Sequence, residues 1–130
     1  MVQTRMTKQR AIILEVLRSV KTHPTADELY TLVRERLPRI SLGTVYRNLD
    51  ILTASGDILR LDRAGEQKRF DGDISPHYHI RCDECGRVGD LFMTFPLPDL
   101  EKIQVENFDV HGLEVIFSGV CEQCRRRVEQ

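Results

Sequence analysis

A chain of 130 residues holds one domain or two small ones around a modest core. Its 41% hydrophobic content is ordinary for a globular protein, no apolar run approaches the roughly 18 residues of a membrane span, and residues 1–10 lack the apolar heart of an export signal, so a cytoplasmic location is expected. The net charge of −1 conceals a split: residues 1–69 carry 13 Lys+Arg against 8 Asp+Glu (+5), and residues 70–130 carry 6 against 12 (−6), which suggests a nucleic-acid-facing half joined to an acidic half with another task.

Three helical patterns fill the first half. From Thr7, the residues Ile13, Val16, Leu17 and Val20 recur at helical spacing. After the break at His23-Pro24, Thr25 and Glu28 form a T-x-x-E capping box, which opens a helix with Ala26, Leu29, Tyr30, Val33 and Leu37 on one face. Pro38 stops it. Ser41 caps a third helix over residues 42–55, with Val45, Leu49 and Leu52 inward and Gly56 as the left-handed residue at its end. Two extended stretches, residues 58–62 and 67–71, flank a turn at residues 63–66. Three helices followed by a hairpin predict a winged helix-turn-helix over residues 1–71.

Residues 72–76 are expected to be a hinge. Strand patterns then cover residues 77–81, 87–92 and 108–118, with a short helix opening near Pro98 or Asp99. This predicts an α+β chain: the winged-helix domain followed by a small α/β domain over residues 77–130, too small to bury much core without a metal or a second copy.

All four cysteines lie in two C-x-x-C pairs, Cys82/Cys85 and Cys121/Cys124. Each pair is a chelating turn, and four thiolates around one tetrahedral ion select zinc in a closed, structural site. Disulfides or redox-active pairs are the alternative reading. His77 and His79, two apart on a predicted strand, point to one face, with Asp71 upstream and Asp90 after the first cysteine pair. Imidazole with carboxylate suits Fe²⁺, Mn²⁺ or Zn²⁺, although a solvated or packed H-x-H shows the same spacing. His23 stands in the basic half, and as a ligand beside these four it would let a metal bias one domain against the other. His111 has no evident partner.

With these residues in order, the chain resembles the Fur family of metal-responsive repressors. The motifs are HPTADELY (residues 23–30), SLGTVYRNLDIL (41–52), RFD (69–71), HYHIRCDECG (77–86) and GVCEQC (119–124). The resemblance implies a homodimer, each subunit having an N-terminal winged-helix DNA-binding domain and a C-terminal dimerisation domain. It implies structural zinc on Cys82, Cys85, Cys121 and Cys124, and a regulatory Fe²⁺ or Mn²⁺, replaceable by Zn²⁺, on His23, Asp71, His77, His79 and Asp90. Metal filling would then lock a closed dimer onto double-stranded operator DNA. Asp at both 71 and 90 is similar to the peroxide-sensing PerR-like branch, where the Fur branch usually has Glu. In that branch Fe²⁺ and hydrogen peroxide oxidise a ligand histidine, here matched by His23 and His77, and the operator is released. This is stoichiometric sacrifice, so no enzyme, no membrane and no small-molecule substrate beyond peroxide are expected.

The third helix is expected to read DNA through Ser41, Thr44, Tyr46 and Arg47 near its N-terminal end, with Arg63, Lys68 and Arg69 of the wing as phosphate contacts. Three departures stand out. The chain starts too late for the family's frequent extra N-terminal helix. Pro76 and Tyr78 replace the His and Asp of a further metal site, whose downstream His is Leu113 here. Lys8 stands where proline is common. Three other readings compete: an iron-, zinc- or manganese-responsive repressor without peroxide chemistry, a zinc-stabilised binding module, and a non-haem iron oxygenase, which five ligands would crowd.

Overall fold

The computed structural model describes residues 5–62 and 67–129, with side chains described through residue 127. The chain is α+β and divides into two compact units, Met1–Pro76 and His77–Gln130.

The first unit is a winged helix-turn-helix: α1 (Lys8–Ser19), α2 (Ala26–Val33), α3 (Leu42–Ala54) and an antiparallel ribbon of β1 (Leu59–Leu61) and β2 (Arg69–Asp71). Each helix starts where its cap residue dictates. The side chains of Thr7, Thr25 and Ser41 accept from the main-chain N–H of Arg10, Glu28 and Thr44, and the Thr25/Glu28 box is complete. Helix α3 ends in a Schellman turn, with Asp57 N–H on the Leu52 carbonyl at 3.0 Å, Gly56 N–H on that of Thr53 at 3.1 Å, and Gly56 at φ 82°. Helix α2 ends at Val33 rather than running to Pro38, because the proline ring excludes the carbonyl of residue i−4, Arg34, from a continuing helix. Leu37 closes the final turn on the Val33 carbonyl at 2.9 Å.

Ile13, Leu17, Leu29, Val33, Val45, Leu49, Leu52, Ile58 and Phe70 form one core here, most of them wholly excluded from solvent. Asn48 is buried among them on the inward face of α3. Its Oδ1 accepts from Arg10 Nε at 2.9 Å and its amide donates to the Thr44 carbonyl at 2.9 Å, so a polar bridge ties α1 to α3. Residues 72–76 are held by two Asx-type turns, with Asp73 N–H on Asp71 Oδ1 and Ser75 N–H on Asp73 Oδ1, each at 2.9 Å. A Cβ on Gly72 would stand 3.0 Å from the main chain of Arg18, so this stretch rests against α1. The expected turn at residues 63–66 lies outside the described residues.

The second unit is a three-stranded sheet ordered β4-β3-β5, built from β3 (Tyr78–Cys82), β4 (Val88–Leu91) and β5 (Ile116–Gly119), followed by α4 (Glu122–Glu129). Strands β3 and β4 form a hairpin, while β3 and β5 run parallel. Two expectations are corrected. The strand over residues 108–118 contracts to β5, because its partner β3 pairs only from His79 and the residues upstream of Ile116 meet no strand among those described. The helix near Pro98 is one 3₁₀ turn, Leu100–Lys102, capped by Asp99. It is half or fully exposed, and so short a helix has too little tertiary cover to propagate.

Candidate metal centres and nucleic-acid interface

The four cysteines meet because of strand register. Parallel pairing sets Cys82 opposite Gly119, and Asp83 N–H bonds the Gly119 carbonyl at 2.8 Å, which brings the start of α4 beside the β3–β4 hairpin. The hairpin turn carries Cys85 and closes at Gly86, φ 78°. One sulfur from each of Cys82, Cys85, Cys121 and Cys124 lies within 4.8 Å of every other, and Cys85 and Cys121 stand 3.7 Å apart. Tetrahedral Zn–S bonds of about 2.3 Å require sulfurs about 3.8 Å apart, so the cluster fits the ion.

Its titration is split. Hydrogen bonds from the main-chain N–H of Cys121 and then Cys85 lower Cys82 to about 6, and the Cys124 N–H lowers Cys121. The hydrogen bond with the Cys121 sulfur, followed by burial, pushes Cys124 up to about 12. At pH 7 Cys82 is therefore already a thiolate, whereas Cys124 must surrender a proton to a metal. Zn²⁺ uptake by the reduced, metal-free protein is expected to release protons at pH 7, and affinity to fall as pH drops, more steeply once Cys82 protonates near pH 6. Titration calorimetry in buffers of different ionisation enthalpy measures the release. Equal heats in both buffers would sink the expectation.

The histidines and carboxylates form one group in each unit. In the first, β2 lies beside the segment that precedes α2: Phe70 N–H donates to the Pro24 carbonyl at 3.0 Å, and Thr25 bridges to Arg69. This sets His23 Nε2 3.3 Å from Asp71 Oδ2 although 48 positions separate them. His23 is 2% exposed and sits at φ 51°. That left-handed conformation costs a residue with a Cβ roughly 1–2 kcal/mol, so its surroundings must hold it. Arg69 Nη1 donates to the His23 carbonyl at 3.1 Å and approaches Glu28 Oε1 at 3.3 Å.

In the second unit His79 and Asp90 are direct cross-strand partners in the β3–β4 register, and His77 follows on the same face two positions away. Asp90 Oδ1 lies 3.0 Å from His77 Nε2 and 3.5 Å from His79 Nε2. The histidine rings meet edge to face at 4.5 Å, and Phe92 stacks on His77 at 5.0 Å. The opposite side of the sheet carries Tyr78, Phe95 and Phe117 in mutual ring contact. A carboxylate oxygen within 3.5 Å of two imidazoles offers the donor types of a divalent transition metal, and His23 with Asp71 is a second set of the same chemistry.

The residues expected to meet DNA divide by exposure. On α3, Tyr46 is 45% exposed and Arg47 is also exposed, while Ser41 and the half-buried Thr44 share a hydroxyl contact of 2.8 Å at the helix start. Lys68 is exposed, and Arg63 lies outside the described residues. Arg69, read in the sequence as a phosphate contact, has its Nη1 committed inside its own unit. Sequence reasoning missed Asn48, Glu28 and Phe92 as supports. For Asn48 there was a signal: it sits three positions after Val45, on the buried face of α3.

The sequence model of the Ferric uptake regulator family matches residues 1–119. Among curated proteins the chain is 37% identical over 128 residues to the peroxide-responsive repressor PerR of Staphylococcus epidermidis (strain ATCC 12228 / FDA PCI 1200), covering 93% of this chain and 81% of that one. It is 38% identical to the protein of the same name from Staphylococcus aureus (strain USA300), covering 93% and 82%. Among solved structures it is similar to the ferric uptake regulator of Francisella tularensis with iron, at TM-score 0.69 and 26% identity over 94% of this chain and 95% of that one. The peroxide stress regulator of Campylobacter jejuni follows at 0.66 and 26% over 89% and 88%, and a zinc-bound manganese uptake regulator at 0.65 and 27% over 91% of each.

Proposed function

The chain belongs to the ferric uptake regulator family, and on that footing we propose that it is a metal-dependent repressor that senses peroxide. Cys82, Cys85, Cys121 and Cys124 hold structural zinc: four thiolates close the coordination sphere and leave no position for chemistry. His23, Asp71, His77, His79 and Asp90 hold the regulatory Fe²⁺ or Mn²⁺. The carrying observation is that each unit separately preassembles imidazole and carboxylate, His23 with Asp71 and His77/His79 with Asp90. An ion shared by both sets would favour one arrangement of the two units by its binding free energy.

That arrangement presents α3 to operator DNA. Tyr46 and Arg47 face solvent near the helix start, where base edges are read, with Ser41 and Thr44 at its cap. Lys68 of the wing, and Arg63 by its place in the sequence, are the proposed phosphate contacts, whereas the Arg69 Nη1 is held on the His23 carbonyl. The second unit pairs with another copy. Phe92, Met93, Leu97, Phe108 and Ile116 are each at least half exposed, an apolar load that one small sheet leaves to a partner.

Asp at both carboxylate positions favours the peroxide-sensing reading over a metal-status sensor, as do the relatives named for peroxide response. Fe²⁺ held by these residues would supply the redox chemistry by which peroxide gives one oxygen to a ligand imidazole, the other oxygen leaving as water. His23 and His77 are the side chains that would take up oxygen, and loss of either weakens the metal hold. Each oxidation consumes a ligand, so the protein does not turn over.

The test is mass spectrometry of zinc-loaded protein given Fe²⁺ anaerobically and then a small excess of peroxide, beside a Mn²⁺ control. One added oxygen on the peptide holding His23 or His77 is expected with Fe²⁺ only. Unmodified peptides, together with operator binding that still requires added metal, would replace this reading by a metal-status sensor.

A further inference from the structure

All three residues of β2 grip the short segment that carries His23. The Asp71 carboxylate stands 3.3 Å from the imidazole, Phe70 N–H holds the Pro24 carbonyl at 3.0 Å, and Arg69 Nη1 holds the His23 carbonyl at 3.1 Å. Arg69 is itself tied to Glu28 Oε1, at 3.3 Å. The same carboxylate oxygen accepts the Thr25 N–H at 3.0 Å, so one guanidinium joins the His23 main chain to the capping box of α2. The Glu28 side chain is 59% exposed, and an ion pair in that setting contributes little by charge alone. What the bridge supplies is geometry: it fixes a carbonyl whose residue is at φ 51°, a backbone conformation an imidazole-bearing residue adopts only when held.

We infer that Arg69 is a positioning residue for His23: it sets the left-handed backbone from which the imidazole reaches a metal, and so makes metal affinity depend on the strand that bears the wing. This rests on the reading of His23 as a metal ligand. Strand alternation places Arg69 and Asp71 on one side of β2, with Phe70 pointing into the core at 3% exposure. The R-x-D spacing therefore holds one histidine by main chain and by side chain at once. Glu28 is the second member of the device, because it keeps the guanidinium turned toward the His23 carbonyl. Outer groups that orient a ligand typically change metal affinity about 10- to 100-fold.

The experiment titrates Mn²⁺, followed by its electron paramagnetic resonance, into full-length zinc-loaded protein. The variants are Arg69→Gln, Arg69→Lys, Glu28→Gln, His23→Ala and the Arg69→Gln/His23→Ala pair. Arg69→Gln is expected to weaken Mn²⁺ binding about tenfold, and Glu28→Gln to weaken it less, since glutamine still caps Thr25. Arg69→Lys keeps the charge and the aliphatic stem for folding but not the reach, and falls between. In the His23→Ala background Arg69→Gln is expected to change nothing further, which a merely structural role would not produce. Wild-type affinity in Arg69→Gln, or an equal loss on top of His23→Ala, would overturn the inference. If wild-type protein takes up no Mn²⁺, the metal reading fails and takes the inference with it, an outcome distinct from the other two.

Discussion

Cys124→Ser is expected to unfold the second unit at 25 °C while the first remains folded. The ledger of buried groups is why. The core of the protein, Ile13 through Phe70, lies in the first unit. In the second, the only buried hydrophobic residues among those described are Val88 and two of the cysteines proposed to hold zinc, Cys82 and Cys124. Three short strands and one helix cannot offset their ordering entropy from one buried valine and the half-buried cluster of Tyr78, Phe95 and Phe117. Structural zinc in small cysteine sites contributes on the order of 10–16 kcal/mol at pH 7, comparable to the whole stability of an ordinary domain. Replacing Cys124 removes a ligand and a buried sulfur together, and chelation of the metal should have the same outcome without a mutation. Circular dichroism would lose the sheet contribution, and thermal melting would keep one cooperative transition, that of the first unit. A Cys124→Ser protein that retains one zinc per chain and both transitions would show that packing, not the metal, holds the sheet.

Asp90→Ala is expected to lower Mn²⁺ affinity by about 100-fold or more and to uncouple DNA binding from metal, leaving zinc content at one per chain. One oxygen of Asp90 serves both imidazoles, at 3.0 Å from His77 and 3.5 Å from His79. Its removal takes away a proposed ligand and also the acceptor that orients two others. The four sulfurs lie at the far end of β3 from His77, so the proposed zinc cluster provides an internal control for folding. The measurement is fluorescence anisotropy on a DNA duplex selected from a random pool by Mn²⁺-loaded wild-type protein. Wild type should bind only with Mn²⁺ present, and the variant should stay weak at saturating wild-type concentrations. A variant that still tightens on DNA as Mn²⁺ is added would move the regulatory metal away from Asp90.

Much of this was legible in local sequence because the signals span only a few residues. Helix starts follow from single hydroxyl caps, as at Thr7, Thr25 and Ser41, and the end of α3 follows from Gly56. The C-x-x-C spacing alone marks two turns able to chelate. The His79–Asp90 pair was half legible: a hairpin centred on the first cysteine pair sets their register, and the alternation of β3 adds His77. Where the sequence reading overreached, at residues 108–118 and near Pro98, apolar pattern indicated an element that has too little to pair with or pack against.

Capping and spacing thus determined the helices and marked the candidate ligands, and the ordered motifs carried the resemblance to the family. Tertiary structure alone decided which candidate ligands meet. Parallel pairing of β3 with β5 joins cysteine pairs 35 residues apart, and the bridge from β2 to Thr25 joins His23 to Asp71. It also turned the Arg69 Nη1 inward, onto the His23 carbonyl, and placed Asn48 on Arg10. The reason is the same in each case: a capping or chelating preference is satisfied within a turn of chain, whereas a long-range contact depends on which strand edge, buried face and backbone conformation the rest of the fold leaves available.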